Sequence, residues 1–118
     1  MRNDKENVIV TKSFQFALLC IDYCEQLEEL KKYVIARQLL KSSTSIGANV
    51  REAQNAESRA DFIHKMKIAA KEADETEYWL ELCQCAKNYP ECKELILINN
   101  ELIKMLTRII STAKTNKA

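Results

Sequence analysis

The only glycine of this 118-residue chain, Gly47, lies inside a segment that otherwise has a helical pattern. Glycine in a helix interior costs about 1 kcal/mol relative to alanine, so its presence needs a physical reason. Small side chains surround it in the sequence, at Ser42, Ser43, Ser45 and Ala48. A run of small residues lets the backbone of one helix approach a neighbouring helix closely. The segment therefore predicts a closely packed helical bundle and by itself indicates no chemistry.

The scarcity of turn-forming residues leads to the same fold class. The chain has one glycine and one proline, whereas ordinary proteins contain about 7% and 5% of these residues. This shortage favours long helices joined by short connections. No run of about 18 apolar residues occurs, and the first residues carry charges of both signs, so we expect no membrane span, no secretory signal and a cytoplasmic location.

Hydrophobic periodicity predicts four helices, over residues 8–30, 33–57, 59–88 and 90–114. The third has an unbroken heptad stripe of seven small or apolar positions: Phe62, Met66, Ala69, Ala73, Thr76, Leu80 and Cys83. Ser58 is its expected N-cap, and Pro90 is expected in the first turn of the fourth helix. We therefore predict an all-α, antiparallel up-down-up-down four-helix bundle, left-handed, with one domain over residues 1–118.

The fourth helix has an apolar face wider than a small bundle requires, and further apolar residues also widen the face of the first helix. On the first, Phe14, Leu18 and Ile21 lie beside the core-facing stripe. On the fourth, a second set recurs every seven residues beside the main stripe, at Ile96, Ile103 and Ile110. Either the fourth helix lies deep in the core, or another subunit buries part of its surface. The pattern leaves both alternatives open.

Candidate reactive residues are few. The five cysteines include Cys20 and Cys24 one helical turn apart, but two thiols with one histidine in the chain do not complete a zinc site, which favours buried packing. Asp61 and His64 are spaced like di-iron ligands, yet the motif occurs once, so we interpret His64 as a surface residue. Asn49 is interpreted as a buried amide that fixes register or partner geometry. No residue set predicts catalysis, a cofactor, a metal site or a small-molecule substrate, and we expect a protein that is not an enzyme.

Charge is unevenly distributed along the chain. Residues 31–60 contain six Lys or Arg against two Asp or Glu, a net charge of +4, whereas the whole chain has a net charge of +1. This makes the second helix the basic element and gives four candidate nucleic-acid contacts: Arg37, Lys41, Arg51 and Arg59. A solvated helix face explains the same pattern, and the near-zero total charge weakens the nucleic-acid hypothesis.

Two segments resemble a known family. Ser45-Ile46-Gly47-Ala48-Asn49-Val50-Arg51-Glu52-Ala53 is similar to its signature, and the similarity continues through residues 58–69 and 71–80. The family is the four helix bundle proteins, also called the ribosomal-RNA intervening-sequence proteins, and the resemblance runs from about residue 14 to 112. It marks these residues as the family signature: Ser45, Ile46, Gly47, Asn49, Glu52, Asp61, Phe62, Ala69 and Glu75.

The resemblance implies properties that the periodicity does not. It implies a bundle that assembles into a homopentamer, and a distant kinship with the accessory variability determinant protein of diversity-generating retroelements, a basic nucleic-acid-binding branch. From the chain and this resemblance we predict a self-assembling cytosolic bundle that acts as a scaffold or as a binding module for a protein partner. The alternative hypothesis is an accessory RNA- or DNA-binding protein that uses the basic second helix.

Overall fold

Four helices account for most of the described chain. In a computed structural model, which describes residues 7–115, they are α1 (Val8–Glu29), α2 (Tyr33–Ala53), α3 (Arg59–Cys85) and α4 (Lys93–Thr115). Residues 1–6 and 116–118 of the predicted 1–118 domain lie outside the described residues.

The helices contact one another in chain order, and α4 closes the arrangement against α1. The described residues form a rod 52 Å long and 21 Å across. The predicted all-α four-helix bundle is therefore confirmed. None of these four helices is long and apolar enough to cross a membrane.

Three predicted helix ends were wrong by three or four residues. α2 ends at Ala53 and not at residue 57, because the backbone N–H groups of residues 54–56 donate to carbonyls three positions back and tighten the chain into a turn. α3 ends at Cys85 and not at residue 88, where Asn88 has a left-handed φ of 66°. α4 begins at Lys93 and not at residue 90, because Pro90 stays in the loop, where its carbonyl accepts a 2.6 Å hydrogen bond from the Tyr23 hydroxyl.

The end of α1 shows how this chain turns without glycine. Lys31 adopts φ 66°, the left-handed conformation that glycine usually supplies. Its N–H donates to the Glu28 carbonyl at 2.9 Å, and the next N–H, of Lys32, donates to the Leu27 carbonyl at 2.8 Å. This pair of bonds satisfies two terminal carbonyls of α1 and reverses the chain. The turn therefore depends on backbone hydrogen bonds and not on a special residue.

The core follows the predicted stripes on α3 and on the inward face of α1. Six of the seven heptad positions of α3 are buried, and Phe62 is half-buried. The wide apolar face of α4 is mostly covered inside the chain, because Ile96, Ile98, Ile103 and Ile109 pack against the core. Only Leu97 among the large apolar residues described in α4 is strongly exposed, at 61%. The exposed apolar face instead belongs to α1.

Gly47 makes the close helix approach that its sequence context predicts. A Cβ atom added to it would lie 3.4 Å from the backbone oxygen of Ser13 on α1, in ordinary van der Waals contact. The predicted approach at Ser42 is made to a different helix, since its hydroxyl accepts a 2.8 Å hydrogen bond from Thr76 on α3. α2 therefore packs closely on two neighbours through small side chains placed on two of its faces.

Candidate functional site

α1 carries a second apolar stripe outside the core. Phe14 and Leu18 are each 49% exposed, and Ala17 and Ile21 beside them are half-buried. These residues recur at helical spacing, but on the flank of α1 turned away from its buried residues, such as Phe16 and Cys20. Exposed apolar side chains that line up along one helix are typical of a surface that contacts another molecule.

Three residues of this stripe, Phe14, Ala17 and Ile21, line a groove between α1 and α2, which we call the outer groove, and Leu18 lies beside them on α1. The first section of the groove has a volume of about 450 Å³ and is lined by residues of both helices: Val10, Phe14, Ala17, Thr44, Gly47, Ala48, Arg51 and Glu52. A second section of about 430 Å³ shares Thr44 and continues toward the end of α1: Ile21, Cys24, Glu25, Glu28 and Leu40. The small residues that let α2 approach α1 also keep the outside of the groove open.

Charged residues line the edges of the outer groove. The guanidinium of Arg51 lies 5.4 Å from the centre of the Phe14 ring, a cation–π contact at one end. Glu52 is directed to α3, where its carboxylate lies 3.5 Å from the Lys65 ammonium. In the second section, Glu25 and Glu28 belong to the α1 wall. Within residues 7–115, no ion pair joins these two acids to a cation of α2, so the walls are not linked across the groove.

The outward face of α3 carries a convex apolar and acidic surface, which we call the α3 ridge: Asp74, Tyr78, Glu81 and Leu82. Tyr78 is 56% exposed and Leu82 38% exposed. The Tyr78 and Trp79 rings meet edge to face, with 5.2 Å between their centroids. The indole N–H of Trp79 donates to the Glu75 carboxylate at 3.1 Å, so this part of α3 is held by contacts within its own helix.

The family-signature residues do not converge on one site. Ile46 and Ala69 are fully buried in the core. Asp61 serves the N-terminus of α3: its backbone N–H donates to the Ser58 hydroxyl at 3.0 Å, and its carboxylate accepts from the N–H of Glu57 at 3.2 Å. These three residues therefore maintain packing and helix capping, whereas the signature residues Gly47 and Glu52 line the outer groove.

The predicted buried amide is a different asparagine. Asn49 is only half-buried and donates to the Ser45 carbonyl of its own helix at 2.8 Å. Asn99 on α4 is fully buried, donates to the Ala73 carbonyl of α3 at 3.0 Å, and leaves its side-chain oxygen without a partner. The sequence signal for Asn99 is its position three residues before Leu102, within the apolar stripe of α4.

The four candidate nucleic-acid contacts do not form one cluster. Arg37 and Lys41 are exposed one turn apart on α2. Arg51 lies fourteen positions after Arg37, about 21 Å along the helix at 1.5 Å per residue, and contacts Phe14. Arg59 is the first residue of α3. The structure brings together Arg37 and Lys41 only.

Four of the five cysteines are buried packing residues with suppressed reactivity. Burial raises the pKa of the Cys20 and Cys24 thiols from 9.0 to about 12 and that of Cys92 to about 11. A thiol with a raised pKa is a poor nucleophile at neutral pH, because the thiolate is the reactive form. Cys85 is exposed. Among the described residues, no group of three His, Cys, Asp or Glu side chains is arranged to hold a metal ion.

Asp61 and His64 likewise do not form a metal site with other described residues. The Asp61 carboxylate is engaged at the start of α3, where it lies 4.0 Å from Lys65 and accepts from Glu57. His64 is exposed, as the sequence predicts. Asp61 therefore contributes to the start of α3, and His64 faces solvent.

Comparison with known proteins identifies relatives over nearly the whole chain. The family model for the 23S rRNA-intervening sequence protein matches residues 5–108. A solved structure, described as a protein with unknown function from the S23 ribosomal protein family of Bacteroides thetaiotaomicron VPI-5482, is 44% identical. It superposes with a TM-score of 0.83 and covers 88% of this chain and 99% of that chain. Comparison with curated proteins gave no match.

Proposed function

We propose that this chain, which belongs to the 23S rRNA-intervening sequence protein family, is a cytosolic protein that assembles with copies of itself and acts as a scaffold or binding module. The outer groove between α1 and α2 is the assembly surface in this proposal. The proposal assigns no catalytic residue. A homopentamer is the specific assembly, since the family resemblance implies it.

The observation that carries the proposal is the exposed stripe on α1. Phe14 and Leu18 leave about half of their surface exposed, although the same helix buries its other apolar face in the core. Burying apolar surface is worth roughly 25 cal/mol per Å², so an aligned stripe of this kind gains free energy when a partner covers it. Glu25 lines the second section of the groove and Lys41 is exposed on α2, and surface charges of this kind favour solubility while a partner is absent.

Nucleic-acid binding has weaker geometric support. The prediction relies on exposed cations, and Arg37 and Lys41 are the two that the fold brings together. Binding to nucleic acid generally depends on several clustered Lys and Arg residues that displace counterions. Arg51 contacts Phe14, which gives this cation a second role at the outer groove. The hypothesis stays a prediction that a binding assay at two salt concentrations tests.

Light scattering coupled to size exclusion tests the proposal directly. The expected mass of the assembly is about five times the chain mass of 13.6 kDa. Leu18→Glu places a charge on the exposed α1 stripe beside the outer groove and should shift the protein toward single chains, with its helical content unchanged. Leu97→Glu is the matched control, because Leu97 is also an exposed leucine but lies on α4. A parent mass near one chain at micromolar concentrations would reject the proposal.

A further inference from the structure

The outer groove and the α3 ridge have opposite shapes. The groove is concave, with two adjoining sections of about 450 and 430 Å³ between α1 and α2. The ridge is the outward face of a single helix, on which Tyr78 and Leu82 project as neighbouring exposed side chains. An amphipathic helix that lies in an apolar groove is a common recognition mode. Side chains at positions i and i+4 of the helix contact the groove.

The spacing of the apolar side chains is the same on both surfaces. Tyr78 and Leu82 are four residues apart, which is about 6 Å along a helix. Phe14, which lines the groove, and Leu18, beside it on the same stripe of α1, are also four residues apart and are each 49% exposed. A helix lying roughly parallel to α1 therefore places two apolar side chains against two others, and the small residues Gly47 and Ala48 leave room between the walls.

The charges of the two surfaces are complementary along residues 74–82 of the ridge, whereas the exposed Lys71 lies one turn before Asp74. Asp74 and Glu81 on either side of Tyr78 are exposed, and no ion pair within residues 7–115 involves them. On α2, Arg37 and Lys41 are exposed and equally lack ion pairs. The α1 wall carries Glu25 and Glu28, so the favourable orientation places the acids of the ridge on the α2 side of the groove. Opposite charges at an interface edge direct association and fix its orientation.

Symmetry explains why one chain needs two different surfaces. A ring of more than two identical subunits uses head-to-tail contacts, in which one surface of each copy binds a second surface of the next. The described residues present two such surfaces on different helices, one concave with a basic edge and the other convex and acidic.

We propose that the outer groove of one copy receives the α3 ridge of the next copy, with Tyr78 and Leu82 against Phe14 and Leu18, and Asp74 and Glu81 beside Arg37 and Lys41. This inference rests on the proposed self-assembly and adds the identity of the docking segment. It also gives the basic face of α2 a partner of stated chemistry, the acidic face of α3.

Mixing two variants tests the head-to-tail contact. Leu18→Glu disables the groove and keeps the ridge, whereas Tyr78→Glu disables the ridge and keeps the groove. Tyr78→Glu should weaken association at least about thirtyfold, the usual lower bound for a central aromatic contact, and each variant alone should elute as a single chain. An equimolar mixture should form a 1:1 dimer and nothing larger, because one intact groove meets one intact ridge. Leu97→Glu should assemble like the parent.

The outcomes separate this inference from the proposed function. If the parent is a single chain, both fail. If the parent assembles and Tyr78→Glu assembles equally well, or if the mixture stays monomeric or forms larger rings, the docking of the α3 ridge is wrong while self-assembly stands. Circular dichroism and the denaturant midpoint verify that each variant is folded.

A charge-reversal pair gives a second test that leaves the core untouched. Asp74→Lys with Glu81→Lys should weaken assembly, and Arg37→Glu with Lys41→Glu should do the same. A chain carrying all four substitutions should regain assembly, because the charges are again opposite across the interface. Failure of the combined variant to assemble better than either pair would overturn the proposed orientation.

Discussion

α1 and α4 both carry apolar faces wider than one core stripe, but the fold uses them differently. On α4 the flanking isoleucines pack against the core, and Leu97 is the one large apolar residue of that helix with strong exposure in the described chain. On α1 the flanking residues Phe14 and Leu18 stay half exposed, and Phe14 lines a groove. The width of an apolar face therefore does not determine whether the same chain covers it.

Alkaline pH should produce the largest difference between the two helices, because α1 buries two thiols and α4 contains none. Burial raises the pKa of Cys20 and Cys24 from 9.0 to about 12. In the unfolded chain these thiols ionise near pH 9, whereas in the folded chain they stay protonated. Their stabilisation is therefore complete below pH 9 and is lost as pH rises toward 12, by about 1.4 kcal/mol per pH unit for each thiol.

Denaturant unfolding between pH 8 and 11 measures this loss. Cys20→Ala with Cys24→Ala should give a flatter decline in the free energy of unfolding with pH than the parent. Cys85→Ser is the matched control, because Cys85 is exposed and its replacement should leave the slope unchanged. Equal slopes for the parent and the double alanine variant would show that these two thiols do not carry the effect.

Replacing one leucine on each helix by alanine compares how much the two apolar faces contribute to the stability of the chain. Leu102 on α4 is fully buried, whereas Leu18 on α1 is 49% exposed. Leu102→Ala should lower the free energy of unfolding by about 2–5 kcal/mol, through lost apolar contacts and the cavity left behind. Leu18→Ala should change the stability of the single chain by at most about 0.5 kcal/mol and should instead weaken self-association. Similar unfolding costs would mean that the outer face of α1 is covered within the chain.

Periodicity predicted the buried stripe of α3 because the stripe repeats every three or four residues, and this repeat is visible without knowledge of the neighbours. It could not distinguish α1 from α4, since their exposure depends on how closely the adjacent helices approach each flank. It also missed Asn99, since a single polar residue in an apolar stripe is ambiguous until its partner, the Ala73 carbonyl, is known. The acidic ridge on α3 was visible only as a run of charges, because its relation to the groove is geometric.

Gly47 tests the contact between α1 and α2 with a smaller expected effect. Its position leaves 3.4 Å between an added Cβ and the Ser13 backbone oxygen. Gly47→Leu should cost about 1–3 kcal/mol, since a large side chain at this contact separates the helices. Gly47→Ala should be tolerated and should gain up to about 1 kcal/mol from helix propensity. An unchanged denaturant midpoint for Gly47→Leu would show that the close approach does not limit side-chain size here.

The smallest expected effect concerns the cation at the end of the outer groove. Arg51 lies 5.4 Å from the centre of the Phe14 ring, and an exposed cation–π contact contributes about 0.5–1 kcal/mol. Arg51→Gln should therefore lower the free energy of unfolding by no more than that amount. A double-mutant cycle with Phe14→Leu isolates the pair from the separate effect of each substitution. A coupling energy near zero would show that Arg51 does not hold the Phe14 ring, and the exposed wall of α1 would then be free to rearrange when a partner binds. A measurable coupling energy would show that the isolated chain already holds this wall in position.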